Sequence, residues 1–373
     1  MSLPPEAAAP MRADIAIVGA GMAGASLAAE IGGAARVLLI EAEARPGYHS
    51  TGRSAAFWSE TYGGPAVQPL TSASGPWLTE RGFLHARGAL HVAQDEAGQA
   101  ALDAMAQEFA GRVRLDPVDR AGLEALVPGL RAGWDVGLAE PTCRDIDVAG
   151  LHAFYLAAAR RSGTVLMCDA EVMAIGRAGA GWRIETRAGA VEASLVVNAA
   201  GAWASPVAKL AGASGIAIAP HRRTIVQLAV DPLADPAMPL VMDAAGRFYF
   251  KPEAGGRLWL SPHDETPVPP QDVASEELDV ALAIDRLEQV VDWHVMRRER
   301  AWAGLRSFAP DRAPVYGFDG KVPGFFWFAG QGGFGIQTAP AAAMLGAALL
   351  LGRAAPEMVR TIDSERYSPA RFG

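Results

Sequence analysis

The first strong pattern along the chain is an apolar run, Ile15-Ala16-Ile17-Val18, that gives way at once to Gly19-Ala20-Gly21-Met22-Ala23-Gly24. A second run, Val37-Leu38-Leu39-Ile40, ends in Glu41. Short apolar runs bounded by turn residues read as buried strands, and the stretch between these two has room for one helix. Helical periodicity then spans 95–130, with Pro117 and Pro128 as breaks, and Asp147 is placed to cap a helix over 148–161. Residues 164–185 read as strands with a turn at Ala178-Gly179-Ala180-Gly181. In Leu195-Val196-Val197-Asn198-Ala199-Ala200-Gly201-Ala202-Trp203 an apolar strand ends in small residues, so its end at Gly201 can approach another backbone or a ligand. From 222 to 262 apolar and polar residues alternate with aromatics, as in an antiparallel sheet, and 276–290 is an amphipathic helix. A strand at 325–329 runs into Gly330-Gln331-Gly332-Gly333-Phe334-Gly335 and a last, wholly apolar helix.

Strand, glycine turn, helix, strand and terminal acid together make a dinucleotide-binding βαβ unit. Gly19 opens the tight turn, Gly21 lets the backbone approach a pyrophosphate, and Gly24 lets the helix pack closely on the strand. The helix N-terminus offers free N–H groups to the phosphates. Glu41 is placed to accept ribose hydroxyls and would repel a 2′-phosphate, which disfavours NADPH and leaves FAD and NAD open. Glycine-rich signals near both ends bracket sheet-like sequence. The expected fold is therefore α/β in an α+β two-domain arrangement: a Rossmann-type domain of discontinuous segments (11–85, 140–218 and 308–373), with an inserted antiparallel-sheet substrate domain (86–139 and 219–307).

Composition narrows the partners. A net charge of −8 provides no basic footprint for nucleic acid. Cys143 and Cys168 form no CxxC pair or metal-ligand cluster, so no metal is expected and a reducing compartment is. Residues 1–10 do not read as a signal peptide, and 341–351, broken by Gly346, is too short to span a bilayer. A cytoplasmic protein without a transmembrane segment is the expectation.

Five motifs in this order carry a resemblance: Gly19–Gly24 with Glu41; Gly47-Tyr48-His49-Ser50-Thr51-Gly52-Arg53-Ser54-Ala55-Ala56; Val197–Trp203; Trp302-Ala303-Gly304-Leu305-Arg306; and Gln331-Gly332-Gly333-Phe334-Gly335-Ile336-Gln337. The chain resembles the D-amino-acid oxidase family of FAD-dependent oxidoreductases from about residue 13 onward, most closely its D-arginine dehydrogenase branch. The resemblance implies FAD rather than NAD. It places Gly19, Gly21, Gly24 and Glu41 on the ADP half and Ser50, Thr51, Arg53, Ser54 and Ala55 beside the pyrophosphate and isoalloxazine. It further implies Val172 at the adenine and Gly332, Gly333, Gly335 and Ile336 along the flavin ring. Sarcosine-oxidase relatives attach FAD through a cysteine in the C-terminal half; this chain has none after Cys168, so non-covalent FAD is expected.

By the same resemblance Arg306 grips the substrate carboxylate, Arg223 assists it, and Tyr249 and Tyr62 line the cavity. A guanidinium suits the task because its planar fork meets a carboxylate with two parallel hydrogen bonds. The implied reaction is oxidative deamination of a D-amino acid: the ammonium proton leaves through water or a backbone carbonyl near Gly333, the α-hydrogen passes as hydride to flavin N5, and the imino acid hydrolyses to a 2-oxo acid and ammonia. The electron acceptor that follows is open, and a glycine- or sarcosine-type amine oxidase using O₂ is the alternative. The acid that pairs with a guanidinium in the D-arginine branch falls near Ala89, where this chain has none, while Phe57, Leu240 and Met242 are apolar at other pocket positions. An unpaired buried guanidinium is costly, so apolar D-amino acids are the expected substrates, with His91 as a weaker option for an acidic side chain.

Overall fold

The computed structural model describes residues 9–55, 57–213 and 215–373. Residues 1–8, within the segment read as lacking a signal peptide, and Ala56 of the second motif lie outside the described residues. The described residues divide into two units, the first within 1–52, 148–219 and 307–373 and the second within 53–147 and 220–306. Residues 53–85 and 140–147, assigned from sequence to the dinucleotide-binding part, fall in the second unit, where Phe57–Trp58 and Leu84–Ala86 both pair with Arg144–Ile146.

In the first unit the strand Met11–Val18 lies between Val37–Ile40 and Gly189–Asn198, parallel to both. The sheet continues through Val165–Met167 on one side and through Gly181–Thr186 and Val172–Ala178 on the other. Phe325–Ala329 extends it, parallel to the end of Gly189–Asn198. Ile15–Val18, Val37–Ile40, Val196–Asn198 and Phe325–Ala329 are buried throughout, as strands covered on both faces are, whereas Val165–Met167 and Val172–Ala178 at the two ends are mostly half-buried or exposed. Trp182, Phe325 and Trp327 pack with Ile40, Val196 and Ile218 in one core, each fully buried large side chain contributing about 1.5–3 kcal/mol.

Helix Met22–Ile31 packs against Val148–Arg161 and Ala339–Leu351. The last of these is the buried apolar helix read from the sequence. Its Gly346 stands where a β-carbon would press into the Phe328 ring and within 3.3 Å of Leu27, so the glycine marks a contact rather than a break. Among the described residues no helix is long and apolar enough to cross a membrane.

Besides the small three-stranded sheet around Arg144–Ile146, the second unit carries a large one in the order His294–Phe308, Ala219–Asp231, Arg257–Ser261, Tyr249–Glu253, Leu240–Asp243, Ala89–Ala93, Val136–Glu140, Asp116–Asp119, with Thr266–Pro267 also paired to Ala219–Asp231. Most neighbours are antiparallel, but Ala89–Ala93 runs parallel to Leu240–Asp243. Strand alternation divides the sheet into two unlike faces. Leu90, Val226, Leu228, Val241, Phe250, Leu258 and Leu260 build the core under helices Arg120–Leu126 and Glu277–Val290. Their neighbours in sequence, Ala89, Ile225, Leu240, Met242 and Tyr249, belong to a separate cluster with Phe57. Pro117 breaks the helical pattern where expected, yet it sits in the strand Asp116–Asp119, whose side chains alternate between half-buried and exposed at the sheet edge.

A β-carbon at Gly24 would overlap the Gly19 carbonyl oxygen, whereas one at Gly33 meets nothing within 4 Å. Gly24→Ala is therefore expected to lose about 2 kcal/mol or more of unfolding free energy in urea. Gly33→Ala is expected to match the parent protein or slightly exceed it. Equal effects at the two positions would contradict the close-packed turn.

Candidate active site

The dinucleotide turn is held from three sides. Gly19 has φ +102°, and a β-carbon there would overlap the carbonyl of Ala199 at the end of the neighbouring strand. Thr51 accepts from the Met22 N–H at 3.0 Å through its side-chain hydroxyl, capping the first turn of the helix from a distant loop. A β-carbon at Gly21 would stand 3.2 Å from that same hydroxyl. His152 bonds the Ala20 carbonyl through Nε2 at 2.9 Å and backs onto Gly47, where a β-carbon would lie 2.8 Å from its ring. Burial holds this imidazole below its ordinary value, against the pull of the Ala20 carbonyl and Glu41.

Glu41 ends its strand buried, as the sequence pattern predicts, with Oε2 accepting from Ala20 N–H at 2.9 Å and Oε1 from Glu43 N–H at 3.0 Å. An ionised carboxylate has about four acceptor positions, so two backbone bonds fix its orientation and leave capacity for ribose hydroxyls. Gly201, at φ +53°, begins the turn after Gly189–Asn198. That turn is knitted by Asn198, whose side chain donates to the Ala204 carbonyl at 2.7 Å and accepts from Ala200 N–H. Val172 opens the outer strand, half-buried against the core, beside a register shift.

The C-terminal glycine loop repeats the strand–loop–helix plan. Gln331–Gly332 pairs with Ser307–Phe308, and Gly332, at φ +56°, has no space for a β-carbon against the Phe308 ring. Gly333, Gly335 and Ile336 follow, half-buried, before helix Ala339–Leu351. Ser50 is exposed in the loop that ends the first segment of this unit.

The second unit brings the substrate-site candidates together on the face of its sheet opposite the main core. Phe57, Ala89, Leu240, Met242 and Tyr249 cluster with Ala55, Ile225 and half-buried Tyr62, Trp259 and Trp302. Phe57 lies between the tyrosines, 4.8 Å from Tyr62 and 5.9 Å from Tyr249 by ring centroid. Arg306 donates to the Tyr62 hydroxyl and lies over its ring. Arg223 is almost completely buried; its Nε donates to the Asp264 carbonyl at 2.7 Å and its Nη2 to Glu265 at 3.2 Å. Its Nη1 has no hydrogen-bond partner among the described residues. Neighbouring Arg222 is tied instead to Glu276, Asp279 and Asp264 as a structural anchor, the division expected of adjacent residues in a strand.

Burial raises the Tyr249 phenol above its ordinary value, opposed by the charge of Arg223 and by hydrogen bonds with Ser261 and Arg223, so the hydroxyl stays protonated at pH 7. His263 stands 5.7 Å from that ring. Burial and then the Arg223 charge push it down to about 4, so it is neutral at pH 7 and too weak a base to take an ammonium proton. The Arg53 side chain bonds the Val273 and Ala303 carbonyls and pairs with Asp272, while Trp302 donates to the Arg53 carbonyl at 3.0 Å. Ser54 is half-buried beside it and Ala55 buried.

Three acids of this unit escaped the sequence reading. Glu140 is fully buried directly across from Ala89, at the position where an acid is absent from the Ala89 strand itself. It accepts from Ser59 (2.9 Å), Thr61 (2.7 Å) and the Glu60 N–H (2.7 Å), with His91 Nε2 at 3.5 Å. Burial pushes its carboxyl up, but His91 and the two hydroxyls outweigh burial and leave it below the usual range. His91 is thus occupied by an internal carboxylate, which removes it as a receptor for an acidic substrate side chain. Glu140 in turn pins Ser59–Thr61, the segment that carries Tyr62. Asp264 and Glu265 are the other two, and no periodicity marks them because they lie in a loop after a strand.

The model of the DAO family, FAD dependent oxidoreductase, matches residues 14–349, and the chain belongs to that family. Subunit HcnC of hydrogen cyanide synthase from Pseudomonas aeruginosa is 28% identical over 225 residues, covering 58% of this chain and 50% of that one. The chain covers 39–50% of the length of the curated relatives it matches first. Glycine oxidase from Geobacillus kaustophilus shares the fold with a TM-score of 0.81 and 24% identity, over 96% of this chain and 98% of that one. L-Proline dehydrogenase from P. horikoshii shares it with a TM-score of 0.82 and 21% identity, over 98% of both. FAD is the cofactor of this family, and the residues fit it: Gly19 and Gly24 without room for a β-carbon, Gly21 close against Thr51, a capped helix start and a half-satisfied carboxylate at Glu41.

Because Glu140 is held ionised in the folded state, it adds stability above its unfolded value near pH 4.5, and that contribution is lost as pH falls through the lower folded value. Glu140→Gln is expected to cost about 1–3 kcal/mol at pH 7, with the gap to the parent protein narrowing below about pH 4. Urea titrations at both pH values check this; a gap independent of pH would refute it.

Proposed function

We propose that the protein is a FAD-dependent D-amino-acid dehydrogenase or oxidase acting on uncharged, apolar D-amino acids. The observation that carries the reading is the pair Arg223 and Arg306, set with Tyr249 and Tyr62 on a face whose other members are Phe57, Ala89, Leu240 and Met242. Two guanidinium groups beside an apolar patch suit a molecule with one carboxylate and a hydrocarbon side chain. The D configuration is carried over from the resemblance to the D-arginine dehydrogenase branch.

Bound FAD supplies the two-electron acceptor for the α-hydride. The chain's own residues bind and orient. Arg306 and Arg223 hold the carboxylate, the Tyr62 and Tyr249 hydroxyls fix its position, and the aromatic rings exclude water from the amine. With His263 held near 4, deprotonation of the ammonium falls to solvent or a backbone carbonyl. Glu140 offers a guanidinium side chain little, because its oxygens already meet three donors and border the His91 ring. The second reading, an amine oxidase of the glycine or sarcosine type using O₂, draws on the fold shared with glycine oxidase.

Anaerobic mixing with D-leucine, D-arginine, D-glutamate, L-leucine and sarcosine tests these readings through loss of the flavin's visible absorption. D-Leucine is expected to bleach it quickly and D-arginine slowly or not at all. Bleaching by sarcosine alone would transfer the assignment to the amine oxidases, and bleaching by none would sink both. Arg306→Lys is expected to lower kcat/KM for D-leucine about a hundredfold, since an ammonium cannot replace the bidentate fork. Acid precipitation is expected to release the flavin into the supernatant; flavin retained in the pellet would contradict non-covalent binding.

A further inference from the structure

The carboxylate of Glu265 lies between the two arginines. Its Oε1 is 3.2 Å from Arg223 Nη2 and 3.6 Å from Arg306 Nη1, so one oxygen serves two guanidinium groups. The backbone on either side is pinned. Asp264 accepts from Arg223 Nε through its carbonyl and from Thr224 N–H through its carboxylate, both at 2.7 Å, and Thr266 pairs with Arg222. The Glu265 side chain itself is one-third exposed, against 6% for Asp264 and 5% for Arg223. Its charged end therefore borders water, while Arg223 and Asp264 are enclosed.

We propose that Glu265 is a built-in occupant of the carboxylate site, holding Arg223 and Arg306 in the absence of substrate and displaced when a substrate carboxylate arrives. The inference rests on the reading of these arginines as the carboxylate grip. Two guanidinium groups side by side repel each other, and an internal carboxylate keeps them aimed at one point. Glu265 leaves Arg223 incompletely satisfied, because its Nη1 is buried and has no hydrogen-bond partner among the described residues. A free carboxylate can present both oxygens and take up that donor as well, which lets it win the exchange. The exchange still subtracts the Glu265 contacts from every binding event. Glu265 thereby sets a floor on selectivity: an acid that cannot recover the difference through apolar contacts binds poorly.

Propionate, which has a carboxylate and almost nothing else, is the probe. In isothermal titration calorimetry of the FAD-loaded protein, Glu265→Gln is expected to bind propionate about tenfold more tightly than the parent, corresponding to about 1.4 kcal/mol. Glu265→Ala, which removes the acceptor altogether, is expected to tighten binding in the same direction. A crystal structure of the propionate complex is expected to show the Glu265 side chain turned toward solvent. Unchanged or weaker binding in both variants, with Arg306→Lys still abolishing it, would overturn the displacement while leaving the arginine grip standing. Failure of propionate to bind any form, or binding unaffected by Arg306→Lys, would overturn the grip and the displacement together.

Discussion

The Gly19 carbonyl oxygen fills the space where a β-carbon of Gly24 would stand, and much of the first unit depends on that contact. It lets helix Met22–Ile31 descend onto the strand Met11–Val18, brings its N-terminus to the turn, and leaves Leu27 in reach of the C-terminal helix at Gly346. Thr51, Glu41 and His152 then fasten the turn by bonding Met22, Ala20 N–H and the Ala20 carbonyl. None of these side chains is near the others in sequence. Their convergence on three consecutive peptide units, from Gly19 to Met22, shows how a loop with few side chains of its own is fixed in place to meet an anionic ligand.

The second unit solves a different problem, that of keeping cations at a partly apolar surface. Arg222 and Arg223 are adjacent and both buried, yet alternation sends one to the acids at the start of helix Glu277–Val290 and the other to the aromatic face. Buried charge on that face is tolerated because each group meets an opposite charge or a carbonyl: Arg223 at Asp264 and Glu265, Lys251 at Asp145 and Glu253, Glu140 at its donors. Among the described residues, Arg223 Nη1 is nevertheless buried without a hydrogen-bond partner.

Legibility in the sequence tracked locality. The βαβ unit, helix Val148–Arg161, the strands between 165 and 186 and the buried last helix follow from periodicity and punctuation that lie within a few residues of one another. The positions of Phe57, Ala89, Leu240, Met242, Tyr62 and Tyr249 came from family resemblance, and they gather in one cluster. Glu140 and Glu265 could not be read in this way. Glu140 meets its partners from about 50 to 81 residues away, and Glu265 sits in a loop without a repeating pattern. The parallel pairing of Ala89–Ala93 with Leu240–Asp243 is likewise a long-range fact, and it is what sets Ala89 opposite both Leu240 and Glu140.

The two unlike faces of that sheet also bear on how such a protein changes over time. Val241 lies in the core while Leu240 and Met242 lie on the aromatic face, and Leu90 lies in the core while Ala89 does not. Mutations at every second position can therefore reshape what the aromatic face accepts while the stabilising core keeps its volume. Selection for a new substrate and selection for a folded protein act on interleaved but separate sets of residues. A scaffold of this kind can diversify in small steps without first acquiring spare stability.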